Sequence, residues 1–112
     1  MARGKLIQIQ GSVLEPIAKI TNDVRASVSK VCLGIDDMQL LGNKALVLRV
    51  EIYPGKLDQL YSALDSNGVK INPKDLPDMD TLQNEIEYPL SIQITSFSDD
   101  TDRRLNIPNV PG

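Results

Sequence analysis

The sequence has no histidine and no tryptophan, and among its 112 residues it carries one cysteine, one phenylalanine and three tyrosines. Without histidine the usual zinc ligand sets and the Ser-His and Cys-His nucleophile systems are excluded. The side chain best suited to proton transfer near neutral pH is missing too. No enzyme and no cofactor are therefore expected. Cys32, the lone cysteine, cannot close an internal disulfide. Set between Val31 and Leu33, it reads as a small hydrophobe with only Lys30 near in sequence to activate a thiolate. Apolar runs are short, none approaching the ~20 residues of a spanning helix. The opening MARGKLIQIQ alternates without the continuous apolar segment of a signal peptide, so no membrane partner and a cytoplasmic location are expected. Positive charge is in the minority, with 12 basic against 15 acidic residues and a net charge of −3. The one arginine pair, Arg103-Arg104, sits beside Asp99, Asp100 and Asp102, so no nucleic acid partner is expected. Asp36-Asp37 and Asp99-Asp100 lack the alternating spacing and glycine of a calcium loop, so they read as solvated acids and no metal site is expected.

The composition that remains, 41% hydrophobic and 24% charged, is that of one globular domain. Its organising stretch is residues 45–64, ALVLRVEIYPGKLDQLYSAL. Leu46, Leu48, Val50 and Ile52 share one face while Arg49 and Glu51 point the other way, the period-2 pattern of a half-buried strand. Pro54-Gly55 ends it, and Leu57, Leu60, Tyr61 and Leu64 then recur at helical spacing. Asn67-Gly68 supplies a left-handed stop.

Elsewhere, residues 5–10 (KLIQIQ) alternate Ile7 and Ile9 with Gln8 and Gln10 as a first strand, broken at Gly11-Ser12. With Pro16 at the first helical position, Ile17, Ile20, Val24, Val28 and Val31 mark an amphipathic helix whose polar side is an ordinary solvated face. Gly34 is read as its stop, and residues 37–41 as a short strand turned by Gly42-Asn43 into a hairpin with residues 45–53. Residues 69–71 form a possible short strand, 74–84 a loop with one helical turn at 78–83, and 87–97 a long strand. Pro89 has no N–H for a ladder, which argues for an edge position there. Either the 69–72 or the 87–97 segment could serve as the fourth strand. Residues 1–98 thus form a single domain, and residues 99–112, broken by Pro108 and Pro111, an extended C-terminal arm.

The order strand, helix, strand, strand, helix, strand is that of the α+β ferredoxin-like βαββαβ plait, an antiparallel sheet with two helices on one face. The segments IQIQGSVLEPIAKITNDV, ALVLRVEI and LDQLYSALDSNGVKI resemble the ACT family of amino-acid-sensing regulatory domains. That resemblance implies a non-catalytic regulatory module that binds an amino-acid-like metabolite in the loop after the first strand, here Gly11, Ser12, Leu14, Glu15 and Pro16. In this loop no glycine follows the proline and no aspartate stands in register. The sheet face left without helices would carry Val47, Tyr53 and Phe97, and together with Leu105 and Ile107 of the arm these are the expected interface residues of a homodimer. The alternative is a protein-interaction module, an adaptor, inhibitor or immunity-type protein, that meets a protein partner through the uncovered sheet face or an edge strand.

Overall fold

A computed structural model of the chain describes residues 4–97. The elements run β1 (Ile7–Val13), α1 (Ile17–Val31), β2 (Gly34–Leu41), β3 (Ala45–Ile52), α2 (Leu57–Ser66), β4 (Lys70–Ile71) and β5 (Tyr88–Ser96). Single 3-10 turns lie at Pro54–Lys56, Pro73–Asp75 and Met79–Thr81. The C-terminal arm, with Leu105 and Ile107, lies outside the described residues.

Local chemistry accounts for most boundaries. In α1 the buried Ile17, Ile20, Val24 and Val28 recur every three or four residues, and Lys30 stands in the last turn, where a cation suits the helix dipole. Pro16 is the extended residue before the helix (φ −60°, ψ 143°) rather than its first helical position. Helix α1 ends on an extended Cys32, and Gly34 opens β2 instead of stopping the helix. Glycine is needed at Gly42 (φ 61°) in the hairpin turn and at Gly68 (φ 82°) after α2, where a side chain would be strained. Gly11-Ser12 does not break β1, which continues to Val13. A Cβ on Gly11 would stand 2.7 Å from Val69 Cγ1, so the missing side chain lets the segment before β4 close over β1.

The strands form one sheet in the order β2-β3-β5-β1-β4. It is mixed, not antiparallel: β5 runs parallel to β1 and antiparallel to β3. Both candidates for the fourth strand are used, β4 antiparallel beside β1 and β5 between β1 and β3. The edge position expected from Pro89 is therefore wrong, and backbone direction explains why. Ser96 N–H donates to the Lys44 carbonyl on the β3 side, so by alternation the polar groups of odd-numbered β5 residues face β1. The Glu87 carbonyl accordingly accepts from Gly4 N–H. Pairing between β5 and β1 begins at Leu90 with Ile7, so the N–H that Pro89 lacks would point past the start of the β1 ladder. A proline costs a central strand little when its bare nitrogen falls in a gap of the ladder, here between the Gly4–Glu87 hydrogen bond and the first β1–β5 pair.

Both helices cover the same sheet face and touch each other. Beneath them lie Leu46, Leu48 and Ile52 of β3, Leu90, Ile92 and Ile94 of β5, Ile9 of β1, and Leu57, Leu60 and Leu64 of α2, all essentially excluded from water. Each such side chain contributes about 1.5–3 kcal/mol of hydrophobic free energy, so the central β3-β5 pair is where the fold is anchored.

Candidate functional site

The opposite face of the sheet carries no helix among the described residues. Strand register arranges it in rows: Gln39, Val47, Gln93 and Gln10 in one, Asp37, Arg49, Ser91 and Gln8 in the next, and Leu41, Ala45, Thr95, Ser12 and Lys70 in a third. The face is thus built of amides and hydroxyls with few charges. Alternation with the buried aliphatics puts these residues there, since a strand with one face in the core must turn every second residue to solvent.

The expected ligand residues are only partly gathered. Gly11 and Ser12 lie inside β1, where a shallow groove of about 340 Å³ is bordered by Gln10, Lys70, Asn72, Thr95 and Phe97. Leu14 projects into solvent, 80% exposed, and borders no such groove. Glu15 pairs with Lys19 one turn into α1 at 3.1 Å, and its backbone carbonyl accepts from the Ser96 hydroxyl at 2.8 Å. Pro16 caps α1 without a side-chain hydrogen bond. The loop is therefore a strand-to-helix connection whose acid is already paired, and its residues converge on no common point.

Among the expected interface residues, Val47 is half-buried at the centre of the open face. Tyr53 follows the end of β3 and Phe97 the end of β5; because these strands run antiparallel, the two rings stand at opposite ends of the face and form no joint apolar patch. Phe97 is 62% exposed, and its N–H is held by the Val13 carbonyl at 2.8 Å. Leu105 and Ile107 lie outside the described residues.

A larger cavity of about 550 Å³ opens where the segment of 3-10 turns crosses the start of β1. Lys5, Gln8, Asp75, Gln83, Ile86 and Tyr88 are among its walls, and the Tyr88 hydroxyl accepts from Gln83 N–H at 2.9 Å. The sequence of this segment reads as a loop with one helical turn at 78–83, and nothing in its spacing marks a pocket.

Two reactive-type side chains are muted by burial. Desolvation raises the Cys32 thiol from 9.0 to about 11, so it is a packing residue and a poor nucleophile. Tyr61 is raised by burial first and by the charge of Asp58 second, and its hydroxyl is buried without a hydrogen-bond partner. Among the described residues no group of three or more Cys, Asp and Glu side chains is placed to hold a metal ion, and no helix is long and apolar enough to cross a membrane. No protein-family model, curated protein or solved structure matches the chain.

Proposed function

We propose that this protein is a non-catalytic interaction module that recognises a protein through its open sheet face and free sheet edge. One observation carries the reading: a five-stranded sheet with helices on one side leaves, among the described residues, a broad open face rich in Gln, Ser and Thr side chains. A broad open face suits extended contact with another protein better than enclosure of a small molecule, for which concave sites are the rule. Within this reading the scaffold is a ferredoxin-like plait with one strand added: β1-α1-β2-β3-α2-β4 follows the plait order with β4 outside β1, and β5 has been inserted between β1 and β3. A photo-reactive amino acid at Gln93, the middle of the open face, should capture a protein, while one at Asp23 on the outer side of α1 should not. Equal capture at both positions, or none, overturns the proposal.

The ACT-like reading, a regulatory module for an amino-acid-like metabolite, draws its support from the 550 Å³ cavity rather than from Gly11, Ser12, Leu14, Glu15 and Pro16. That cavity has the volume of a small-molecule site and carries Lys5 and Asp75, one charge of each sign, in its walls. A thermal-shift screen of the amino acids tests it: a ligand that raises the melting temperature, with the rise lost in Asp75→Ala, supports metabolite binding, and a flat screen removes it.

A further inference from the structure

Among the described residues strand β2 is an edge of the sheet, with β3 as its one neighbour. The direction of its backbone groups follows from two hydrogen bonds. Lys44 N–H donates to the Leu41 carbonyl across the hairpin turn at 3.2 Å, and Leu33 N–H donates to the Glu51 carbonyl at 2.8 Å. Leu41, and by alternation Gln39 and Asp37, therefore turn their polar backbone groups inward to β3, while Met38 and Leu40 turn theirs outward. At its start the strand is guarded by a bulge between Ile35 and Asp37 and by the acids Asp36 and Asp37, devices that keep edges from pairing. From Met38 to Leu41 these devices are missing: the register is regular, the side chains are neutral, and Leu40 and Leu41 are 54% and 49% exposed. The other edge, β4, is only two residues long.

We propose that residues 37–41 of β2 pair antiparallel with the same residues of a second copy of the chain, with Gln39 on the twofold axis. The assignment to a second copy rests on self-complementarity. Residues opposed in an antiparallel ladder share a sheet face, so only registers that shift by whole alternations are open. With Gln39 on the axis, Met38 of each copy faces Leu40 of the other, and their outward N–H and carbonyl groups exchange four hydrogen bonds. On the helix side Leu40 packs on Met38, and on the open side Gln39 meets Gln39 with Leu41 facing Asp37. Placing Leu40 on the axis would pair Met38 with Gly42, whose φ of 61° takes it out of the strand. Placing Met38 there would draw Asp36 and the bulge into the ladder. Five strands from each copy would then form one ten-stranded sheet, with all helices on one side and the polar face doubled in width.

This inference rests on the interaction reading, and the experiment separates the two. In the proposed register Gln39 is a non-hydrogen-bonded pair across the axis, where Cβ atoms approach to roughly 4.5–5.5 Å, close enough for a disulfide after small adjustment. Mild oxidation of Gln39→Cys at roughly 50 µM, a concentration suited to a small, weak interface, should yield covalent dimer. Leu41→Cys, on the same face but far from its own mate, should not, and native Cys32 is buried and does not compete. Sedimentation equilibrium should show a reversible dimer whose dissociation constant rises about tenfold or more in Leu40→Lys, because an edge lysine opposes strand pairing. A monomer at roughly 200 µM, or equal cross-linking of the two cysteine variants, overturns the self-pairing. If the Gln93 probe still captures a different protein in that case, the interaction reading stands; if it captures nothing, both fall.

Discussion

Raising the pH above 9 should destabilise the fold, with one measurable share of the loss coming from the Cys32 thiol. Burial lifts Cys32 from 9.0 to about 11, so the folded protein holds this proton more tightly than the unfolded chain does. A group raised on folding leaves stability whole below its unfolded value and removes it as pH climbs through the folded value. The penalty therefore begins near pH 9, reaches about 2 kcal/mol at pH 11 and tends to ~3 kcal/mol beyond it. Urea unfolding at pH 8 and pH 11 of the native protein and of Cys32→Ala measures it as a double difference. Tyr61, also raised by burial, loses stability in the same direction in both proteins and cancels. Cys32→Ala should be less stable than the native protein at pH 8, because a buried sulfur is lost, yet should fall less between the two pH values. Equal losses in the two proteins would show that the thiol is solvated in the native state and would overturn the burial of Cys32.

Other substitutions probe the rest of the fold. Gly11→Val should cost about 1–3 kcal/mol in chemical denaturation, since its side chain meets Val69 Cγ1 and the Lys70 carbonyl; a neutral result would mean that the β4 segment lifts away freely. Tyr61→Phe removes a buried hydroxyl that has no partner and should raise stability by up to about 1 kcal/mol in thermal melts, whereas a loss of that size would reveal a hydrogen bond. Ile92→Ala, in the central strand with no solvent exposure, should cost about 2–5 kcal/mol. Ile71→Ala at the half-buried edge should cost clearly less, and the reverse order would displace the anchor from the β3-β5 pair.

The local elements were legible because one face of each is core. Residues 45–64 show both periods in full, and strand, corner and helix fall where Leu46, Ile52, Leu57 and Leu64 place them. The position of β5 was not legible. Pro89 reads as an edge marker when only its missing N–H is counted; what decides is which neighbour that nitrogen faces and where the neighbour begins, and both depend on residues over 75 positions away in the chain. Gly11 misled in the same way, since a glycine that ends a strand and one that lets another segment lie over it look alike in sequence. Of the expected site at Gly11 to Pro16, only Gly11 and Ser12 border a groove, while Glu15 pairs with Lys19 on the surface, a separation set by the strand-to-helix turn. The amide-rich face and the exposed Leu40-Leu41 edge emerge only when strands are set side by side.

The placement of β5 also dictates how the chain can fold. β1 and β3, which would be neighbours in a simple plait, are joined here through a strand that follows the other described strands in sequence. Until residues 88–96 arrive, the β2-β3 hairpin and the β1-β4 pair are two separate half-sheets, each with an inner edge open and its aliphatic side only partly covered. Consolidation must wait for contacts of long sequence separation, the kind that slows folding. On the ribosome, the nascent chain would present two unsatisfied inner edges until residues 88–96 clear the exit tunnel, and that interval is when it would most need a chaperone.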